Sequence, residues 1–219
     1  MNPEPSANGK SRSAAVIVAH PDDETLWAGG TILSNPQWNW TIISLSRASD
    51  PDRAPRFFRA LQRFRAQGVM GDIDDGPEQH PLPADTVKRE VLALLPFYSY
   101  GLVITHHPRG EYTRHRRHEE VGRAVINLWH EGKIRAEELW VFAYEDGHRA
   151  YHPEAVPEAT IYSVLEKDIW QRKYQMITDI YGFRKDSWEA ITTPAAESFW
   201  RFTSPEDAVS WLNQLVIEL

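Results

Sequence analysis

The stretch AVIVAHPDDETLWAGG, residues 15–30, places five mostly polar residues, HPDDE (His20 to Glu24), directly after a run of small and β-branched apolar residues. The apolar run predicts a strand that is buried on both faces of a parallel sheet. TLWAGGTILS then predicts a helix, with Asp22 or Asp23 near its N-terminus as candidate caps. An imidazole and three carboxyl groups therefore stand at the tip of a buried strand.

The same alternation continues along the chain. Apolar runs predict strands at Ala14–Ala19, Thr41–Ser46, Gly101–His107 and Leu139–Tyr144, and helical stripes lie at Arg56–Ala66, Asp85–Leu95 and His115–Trp129. This order predicts an α/β fold with a Rossmann-like parallel sheet, helices on both faces and a single domain. Residues 1–12 are expected to be a disordered tail and residues 13–219 the domain. In the C-terminal third, KDIWQRKYQMITDIYGF and ESFWRFTSPEDAVSWLNQLVIEL contain helical stripes rich in aromatic residues.

Composition excludes several classes of protein. The chain has 219 residues, with 24 Lys and Arg against 31 Asp and Glu, and this acidic balance argues against a nucleic-acid binder. It has no cysteine, so a metal ion would have to be bound by His, Asp and Glu. No apolar run approaches the ~20 residues of a membrane span, and the N-terminus lacks an apolar signal segment. We expect a cytoplasmic protein.

HPDDE combines groups that suit metal chemistry. If a helix begins here, His20 and Asp23 lie on one face at i and i+3 and could bind one ion. Asp22 projects elsewhere and is free to act as a base. The alternative is a strand-turn-helix junction with an aspartate cap and an incidental histidine.

A second cluster follows the strand that ends at His107. PRGEYTRHRRHEEVGRAV, residues 108–125, carries His115 and His118, again three residues apart at the start of a predicted helix. Nitrogen and oxygen ligands from separate elements, with one position left to water, are typical of a catalytic zinc site. The alternative is a solvated basic helix start, because three arginines flank the two histidines.

Together these motifs resemble one known family. AHPDDE after a buried strand, followed by TH, GEY and HxxH, is similar to the LmbE-like (PIG-L) family of zinc-dependent N-deacetylases. The resemblance runs from about residue 16 to residue 125. It implies the same parallel α/β fold and activity mostly on amides of the N-acetylglucosamine type.

The resemblance also implies roles for individual residues. His20, Asp23 and His118 would bind zinc, and Asp22 would be the general base. His115, when protonated, would stabilise the oxyanion that develops on the substrate carbonyl.

The chain departs from the family pattern at HRRH, where the family usually has HPDH. Arg116 and Arg117 replace Pro and Asp, and that Asp could orient a ligand histidine. Glu119 or Glu120 is expected to substitute for it. We also expect the neighbouring arginines to lower the pKa of His115.

Arg56 is the candidate substrate-binding residue. It lies twelve residues before Gly68, the spacing at which the family often has an arginine facing the site, although Arg59 stands where the family often has Glu. A surface position for Arg56 remains open. Asp74 and Asp75 are interpreted as part of an acidic surface loop, with sugar hydroxyl binding as the alternative.

The sequence therefore predicts a zinc-dependent hydrolase that removes the acetyl group from an N-acetylglucosamine-type amino sugar or its conjugate. The alternatives are an amidase on another acyl-amine, or a nonhydrolytic sugar- or nucleotide-binding protein. HPDDETLWAGG, and not GxGxxG, follows the first strand, which argues against nucleotide binding. The expected partner is a small-molecule substrate, and a homo-oligomer is compatible with the resemblance.

Overall fold

A mostly parallel seven-stranded sheet forms the centre of the protein, in a computed structural model that describes residues 12–217. The expected tail, residues 1–12, lies almost entirely outside the described residues. The strands are β1 (Ser13–Val18), β2 (Asn39–Ser44), β3 (Gln67–Met70), β4 (Ser99–Thr105), β5 (Arg135–Phe142), β6 (Tyr144–Glu145), β7 (Glu154–Ala155), β8 (Ile161–Val164) and β9 (Ala196–Phe202). The sheet order is β3-β2-β1-β4-β5-β9-β8, and β6 pairs separately with β7.

Helices cover both faces of this sheet. They are α1 (Asp23–Ser34), α2 (Arg53–Phe64), α3 (Ala84–Leu94), α4 (Arg116–His130), α5 (Lys167–Gln175), α6 (Trp188–Thr192) and α7 (Pro205–Ile217), with a π-helical turn at Met176–Ile180 after α5. The helices α1, α2 and α5 pack on one face, and α3, α4 and α7 pack on the other. Alternate side chains of β1 pack into the two cores, which explains why the strand is apolar from Ala14 onward.

The predicted α/β class and parallel sheet are confirmed, with two corrections in detail. The four-residue strand β3 was missed, because QGVM is short and contains a glycine. ESFWRF, interpreted as helical, contains most of strand β9, which pairs antiparallel with β5. Because β8 is antiparallel to β9, β9 alone runs against the other strands of the sheet.

The strand order reverses between β1 and β4, which are parallel neighbours. Ligands of open α/β sheets bind beyond the carboxyl ends of strands at such a switch point. HPDDE follows β1 there, and the loop to α4 follows β4. The helix α4 approaches this loop closely at Gly122, where a Cβ would lie 2.4 Å from the carbonyl oxygen of His106. Among the helices of the described residues, none has the length and apolar composition that crossing a membrane requires.

Candidate active site

A pocket of about 250 Å³ opens at the switch point between β1 and β4. It gathers residues from the turn before α1, the start of α2, the loop before α3, the loop before α4, and α6. Its polar and aromatic lining consists of His20, Asp22, Asp23, Arg47, Arg53, Asp75, Tyr112, His115, Trp188 and Glu189. The two sequence clusters, HPDDE and HxxH, therefore meet in one place, as their positions after neighbouring strands predict.

Three atoms at and beneath this pocket form a nearly equilateral triangle. Nδ1 of His20 lies 3.1 Å from Oδ2 of Asp23 and 3.1 Å from Nε2 of His118, and the last two atoms are 3.2 Å apart. A tetrahedral ion with ligands at ~2.0–2.1 Å keeps its ligand atoms about 3.3 Å apart. The three atoms can therefore occupy one face of such an ion and leave its fourth position open.

Each imidazole of the triangle is oriented by a carboxylate on its other nitrogen. Nε2 of His20 donates to Asp75 at 3.0 Å, and Nδ1 of His118 donates to Glu111 at 2.5 Å. When the two rings are neutral, these bonds place their hydrogens outside the triangle and leave a lone pair on each nitrogen inside it. Carboxylate-histidine pairs of this kind are typical of metal sites, so the donor set fits a metal ion.

The turn between β1 and α1 delivers the carboxylate of Asp23. The backbone N–H of His20 donates to its Oδ2 at 2.9 Å, and the indole N–H of Trp27 donates to its Oδ1 at 3.2 Å. The sequence predicts that His20 and Asp23 share a helix face. His20 instead precedes α1, and the turn before the helix brings it to Asp23. Burial opposes the ionisation of Asp23, but His118 and His106 outweigh it and hold the pKa of Asp23 well below its usual value.

His106 also lies within reach of an ion shared with Asp23 and His118. Its Nε2, however, accepts a hydrogen bond from the N–H of Ala19 at 2.9 Å, and its Nδ1 donates to Glu111 at 3.0 Å. Both ring nitrogens of His106 are thus engaged in hydrogen bonds, so His106 is not a metal ligand in this arrangement. Its ring stacks on that of His118, with 4.0 Å between the ring centroids, and supports it.

Asp22 lies beside the triangle and outside it. It occupies the N-cap position of α1, but its side chain makes no capping hydrogen bond there. Its Oδ2 instead lies 3.1 Å from Nη1 of Arg53. Burial, followed by the charge of Asp23, raises the pKa of Asp22 well above its usual value, and Arg53 opposes the rise. A carboxylate with a raised pKa suits a proton acceptor near neutral pH.

His115 stands over the two histidines of the triangle, with ring centroids 4.5 Å from His20 and 4.3 Å from His118. Its Nδ1 is buried, and it has no hydrogen-bond partner among residues 12–217. A nitrogen of His115 also lies within reach of an ion shared with these two histidines, so His115 is the alternative ligand. Burial, followed by the charges of His118 and His20, lowers the pKa of His115 to about 3.

Burial and the two histidines, and not the arginines in and beside HRRH, lead the causes of this low pKa, contrary to expectation. Arg114 is exposed and pairs with Glu119 at 2.8 Å, and Arg117 is buried and pairs with Glu120 at 2.5 Å. Neither glutamate is then available to orient a ligand histidine. The predicted substitution by Glu119 or Glu120 is wrong, because Glu111 of the GEY motif holds that position.

Arg56 does not reach the pocket. Its guanidinium binds Asp52 at 2.7 and 2.9 Å and contacts the carbonyl oxygen of Tyr181. Arg53, one helical turn earlier, lines the pocket and contacts Asp22. The helix α2 begins at Arg53, so its first turn faces the carboxyl edge of the sheet and Arg56 lies one turn further away.

The sequence did not identify several pocket residues, among them Trp188 and Glu189, and it favoured a surface position for Asp75. The side chain of Asp75 is only 7% exposed, and it binds Arg47 as well as His20, whereas Asp74 is 58% exposed as a surface loop would be. Trp188 and Glu189 come from α6, and the ring of Trp188 lies 4.8 Å from that of Tyr112. The Asp-Gly pair at residues 75–76 signals a turn that could have drawn attention to Asp75. No sequence spacing connects the residues of α6 with HPDDE.

The chain matches one protein family over the segment that contains both clusters. The sequence model of the PIG-L family, described as GlcNAc-PI de-N-acetylase, matches residues 15–129, which include both clusters. An uncharacterised protein of Acanthamoeba polyphaga mimivirus is 23% identical over 146 residues, which are 59% of this chain and 61% of that protein. The chain thus matches about three fifths of the length of that relative.

Solved structures share the fold at low sequence identity. The N,N'-diacetylchitobiose deacetylase of Pyrococcus horikoshii is 14% identical and has a TM-score of 0.65, with 89% of this chain and 85% of that chain covered. A zinc-inhibited form of teicoplanin deacetylase is 14% identical, with a TM-score of 0.60 and coverage of 88% and 98%. The 4-carboxy-2-hydroxymuconate hydratase of Pseudomonas putida is 18% identical, with a TM-score of 0.59 and coverage of 88% and 97%.

The fold is therefore shared by deacetylases and a hydratase, so the fold by itself does not identify the reaction. The family match covers more than half of the chain and contains HPDDE and HxxH. This match supports the predicted class of N-deacetylase: the chain belongs to the PIG-L (LmbE-like) family, whose sequence model is described as GlcNAc-PI de-N-acetylase.

Proposed function

We propose that this protein is a zinc-dependent deacetylase of an N-acetylated amino sugar or its conjugate, with the metal ion bound by His20, Asp23 and His118. The observation that carries the proposal is the triangle of Nδ1, Oδ2 and Nε2 atoms, in which each histidine is oriented by a carboxylate. Two imidazoles and one carboxylate, with no thiolate available in the chain, are a ligand set that suits catalytic zinc.

The metal ion and the protein would divide the chemistry of amide hydrolysis. A bound zinc ion supplies a Lewis acid that acidifies a water molecule and polarises the amide carbonyl. Asp22 accepts the proton of the attacking water and then delivers it to the amine as the carbon-nitrogen bond breaks. His115 donates an N–H to the carbonyl oxygen as negative charge develops there. The products are acetate and a free amine.

The walls of the pocket support an amino-sugar substrate. The rings of Trp188 and Tyr112 offer an aromatic surface for the apolar face of a sugar ring. Glu189 offers a carboxylate acceptor for hydroxyl groups, and Arg53 offers donors. The pocket of about 250 Å³ accommodates the acylated end of a conjugate better than a whole large substrate. Cytoplasmic location and homo-oligomerisation stay predictions.

A substrate panel tests this function. We would incubate the metal-loaded protein with N-acetylglucosamine, N,N'-diacetylchitobiose and N-acetylated amino acids, and measure acetate and free amine. We expect equal amounts of the two products from a sugar substrate. Release only from an amino acid would favour the alternative amidase, and no release from any amide would contradict deacetylation. Zinc would be titrated from low concentration, because one structural neighbour is a zinc-inhibited form.

A further inference from the structure

Asp22 has a backbone conformation that residues with a side chain rarely adopt. Its φ is 128° and its ψ is −28°, on the positive side of φ, where glycine alone is free of a steric penalty. Such a conformation persists only where the surrounding structure holds it, and it is typical of functional sites. The contacts around Asp22 should therefore identify what holds it.

The carboxylate of Glu24 binds the backbone of Asp22. The N–H of Asp22 donates to Oε2 of Glu24 at 3.0 Å. The other oxygen, Oε1, accepts hydrogen bonds from the hydroxyls of Thr25 and Tyr181, both at 2.6 Å. Glu24 is fully buried and Tyr181 is 2% exposed. Three donors converge on one buried carboxylate, which fixes its position.

The other polar groups of Asp22 have separate partners. Its carbonyl oxygen accepts from the N–H groups of Thr25 and Leu26 at 2.9 and 2.8 Å and so begins α1. Its carboxylate contacts Arg53. The bond to Glu24 is the contact that fixes the peptide plane before Asp22, and that plane sets its φ.

Tyr181 belongs to a different part of the chain. It follows the π-helical turn and lies outside residues 15–129, which match the family. Its hydroxyl approaches Glu24 from the α2 side of the sheet, where its ring belongs to the buried core. The C-terminal third therefore makes a direct hydrogen bond to the turn that carries Asp22.

We infer that Glu24 and Tyr181 are positioning residues for Asp22: their hydrogen bonds hold the left-handed turn that directs the Asp22 carboxylate into the pocket. The inference rests on the proposed function, in which Asp22 accepts the proton of water. Neither residue lines the pocket or belongs to the metal triangle, so they act on the reaction only through Asp22.

A double-mutant cycle tests this inference. Glutamine at position 24 replaces one acceptor oxygen with an NH₂ donor, so the N–H of Asp22 and the hydroxyls of Thr25 and Tyr181 cannot keep their present donor arrangement. We expect Glu24→Gln to lower kcat about 10–100-fold, as a misplaced reacting group does, with KM and metal content unchanged. In the Asp22→Asn background, Glu24→Gln should cause no further loss of kcat. Equal losses in the two backgrounds would overturn the inference.

A matched control separates positioning from general loss of structure. Glu197 is another fully buried glutamate, and it binds Lys173, Gly30 and Thr31 away from Asp22. Any loss of kcat caused by Glu197→Gln should be the same in both backgrounds. If Glu24→Gln does not fold, Tyr181→Phe carries the test, because it removes one hydroxyl and keeps the ring. It should lower kcat in the same direction, and an unchanged kcat would overturn the role of Tyr181.

A crystal structure of Glu24→Gln gives a readout that does not depend on activity. We expect the φ of Asp22 to leave the left-handed region, or its carboxylate to move away from the pocket. An unchanged Asp22 would contradict the inference. A wild-type kcat in Asp22→Asn would contradict the proposed function, because Asp22 would then not be the base. A low kcat in Asp22→Asn, together with equal losses from Glu24→Gln in both backgrounds, would contradict only the positioning role.

Discussion

Oε2 of Glu111 lies 2.5 Å from Nδ1 of His118, so a buried carboxylate orients the imidazole that HxxH contributes to the triangle. This carboxylate comes from the GEY motif before α4, in a chain whose HRRH lacks the acidic residue of HPDH. Glu111 also accepts from His106 and from the N–H of His107. It therefore connects the end of β4 with the start of α4.

Glu111→Gln should weaken metal binding. The amide has one acceptor oxygen for three donors, so His118 loses part of its orientation and basicity. We expect an affinity about 10–100-fold lower, measured by competition with a chelator. Glu119→Gln is the matched control, because Glu119 pairs with Arg114 and Arg123 and not with a histidine of the triangle. Equal weakening in both variants would contradict the role of Glu111.

Metal binding should depend on pH and release protons. Burial lowers the pKa of His20 and of His118, but hydrogen bonds and charges, above all from Asp23, outweigh it and raise both values. The metal-free protein thus retains protons at a pH where an ordinary histidine has lost them. An ion must displace these protons, so affinity falls as pH falls.

Calorimetry can measure this linkage. We expect about one proton or more to be released per ion at neutral pH, seen as different heats in two buffers with different ionisation enthalpies. Identical heats in both buffers, together with an affinity that does not change with pH, would exclude the proposed ligand pair.

Arg53 and Arg56 form a matched pair for testing substrate recognition. Arg53 lines the pocket, whereas Arg56 binds Asp52 and a backbone carbonyl. We expect Arg53→Met to raise KM and to lower kcat, because it removes donors from the pocket and a partner from Asp22. Arg56→Met should leave KM unchanged. The opposite pattern in steady-state kinetics would restore Arg56 as the substrate-binding residue.

Sequence reasoning succeeded where local patterns determine the structure. The uninterrupted apolar residues of β1 predict a strand that is covered on both faces, and their position before HPDDE places this motif at the edge of the sheet. The apolar strand before His106 and His107 likewise places the second cluster, HxxH, at the edge of the sheet. Because both strands are parallel neighbours, the meeting of His20, Asp23 and His118 follows from topology.

Sequence reasoning failed where tertiary contacts determine which side chains reach the site. The spacing of Arg56 before Gly68 does not reveal which turn of α2 faces the pocket. The carboxylate that binds His118 could not be found among the residues next to HRRH. It belongs to Glu111, which lies in the loop before α4 and reaches His118 only in the folded protein. Trp188 lines the pocket and Tyr181 binds Glu24. Both residues lie more than a hundred positions after HPDDE, and no periodicity links them to this motif.

His115 should affect turnover and not metal binding. We expect His115→Ala to keep its metal and to lose ~10²–10³-fold in kcat, as removal of one oxyanion donor does. Because its pKa is lowered to about 3, the alkaline limb of the pH profile should stay in place in this variant. Loss of metal would make His115 a ligand, and a displaced limb would mean that it acts in its protonated form.

The most direct test of the account compares Asp22→Asn with Asp23→Ala, with metal content and kcat measured on the same preparations. Asp22 lies outside the triangle and Asp23 lies within it. We expect Asp22→Asn to hold one metal ion per chain and to lose ~10²–10⁴-fold in kcat, the usual contribution of a general base. Asp23→Ala should lose the stoichiometric metal and, with it, activity. Equal metal loss in the two variants, or wild-type kcat in Asp22→Asn, would contradict the division of roles between these adjacent aspartates.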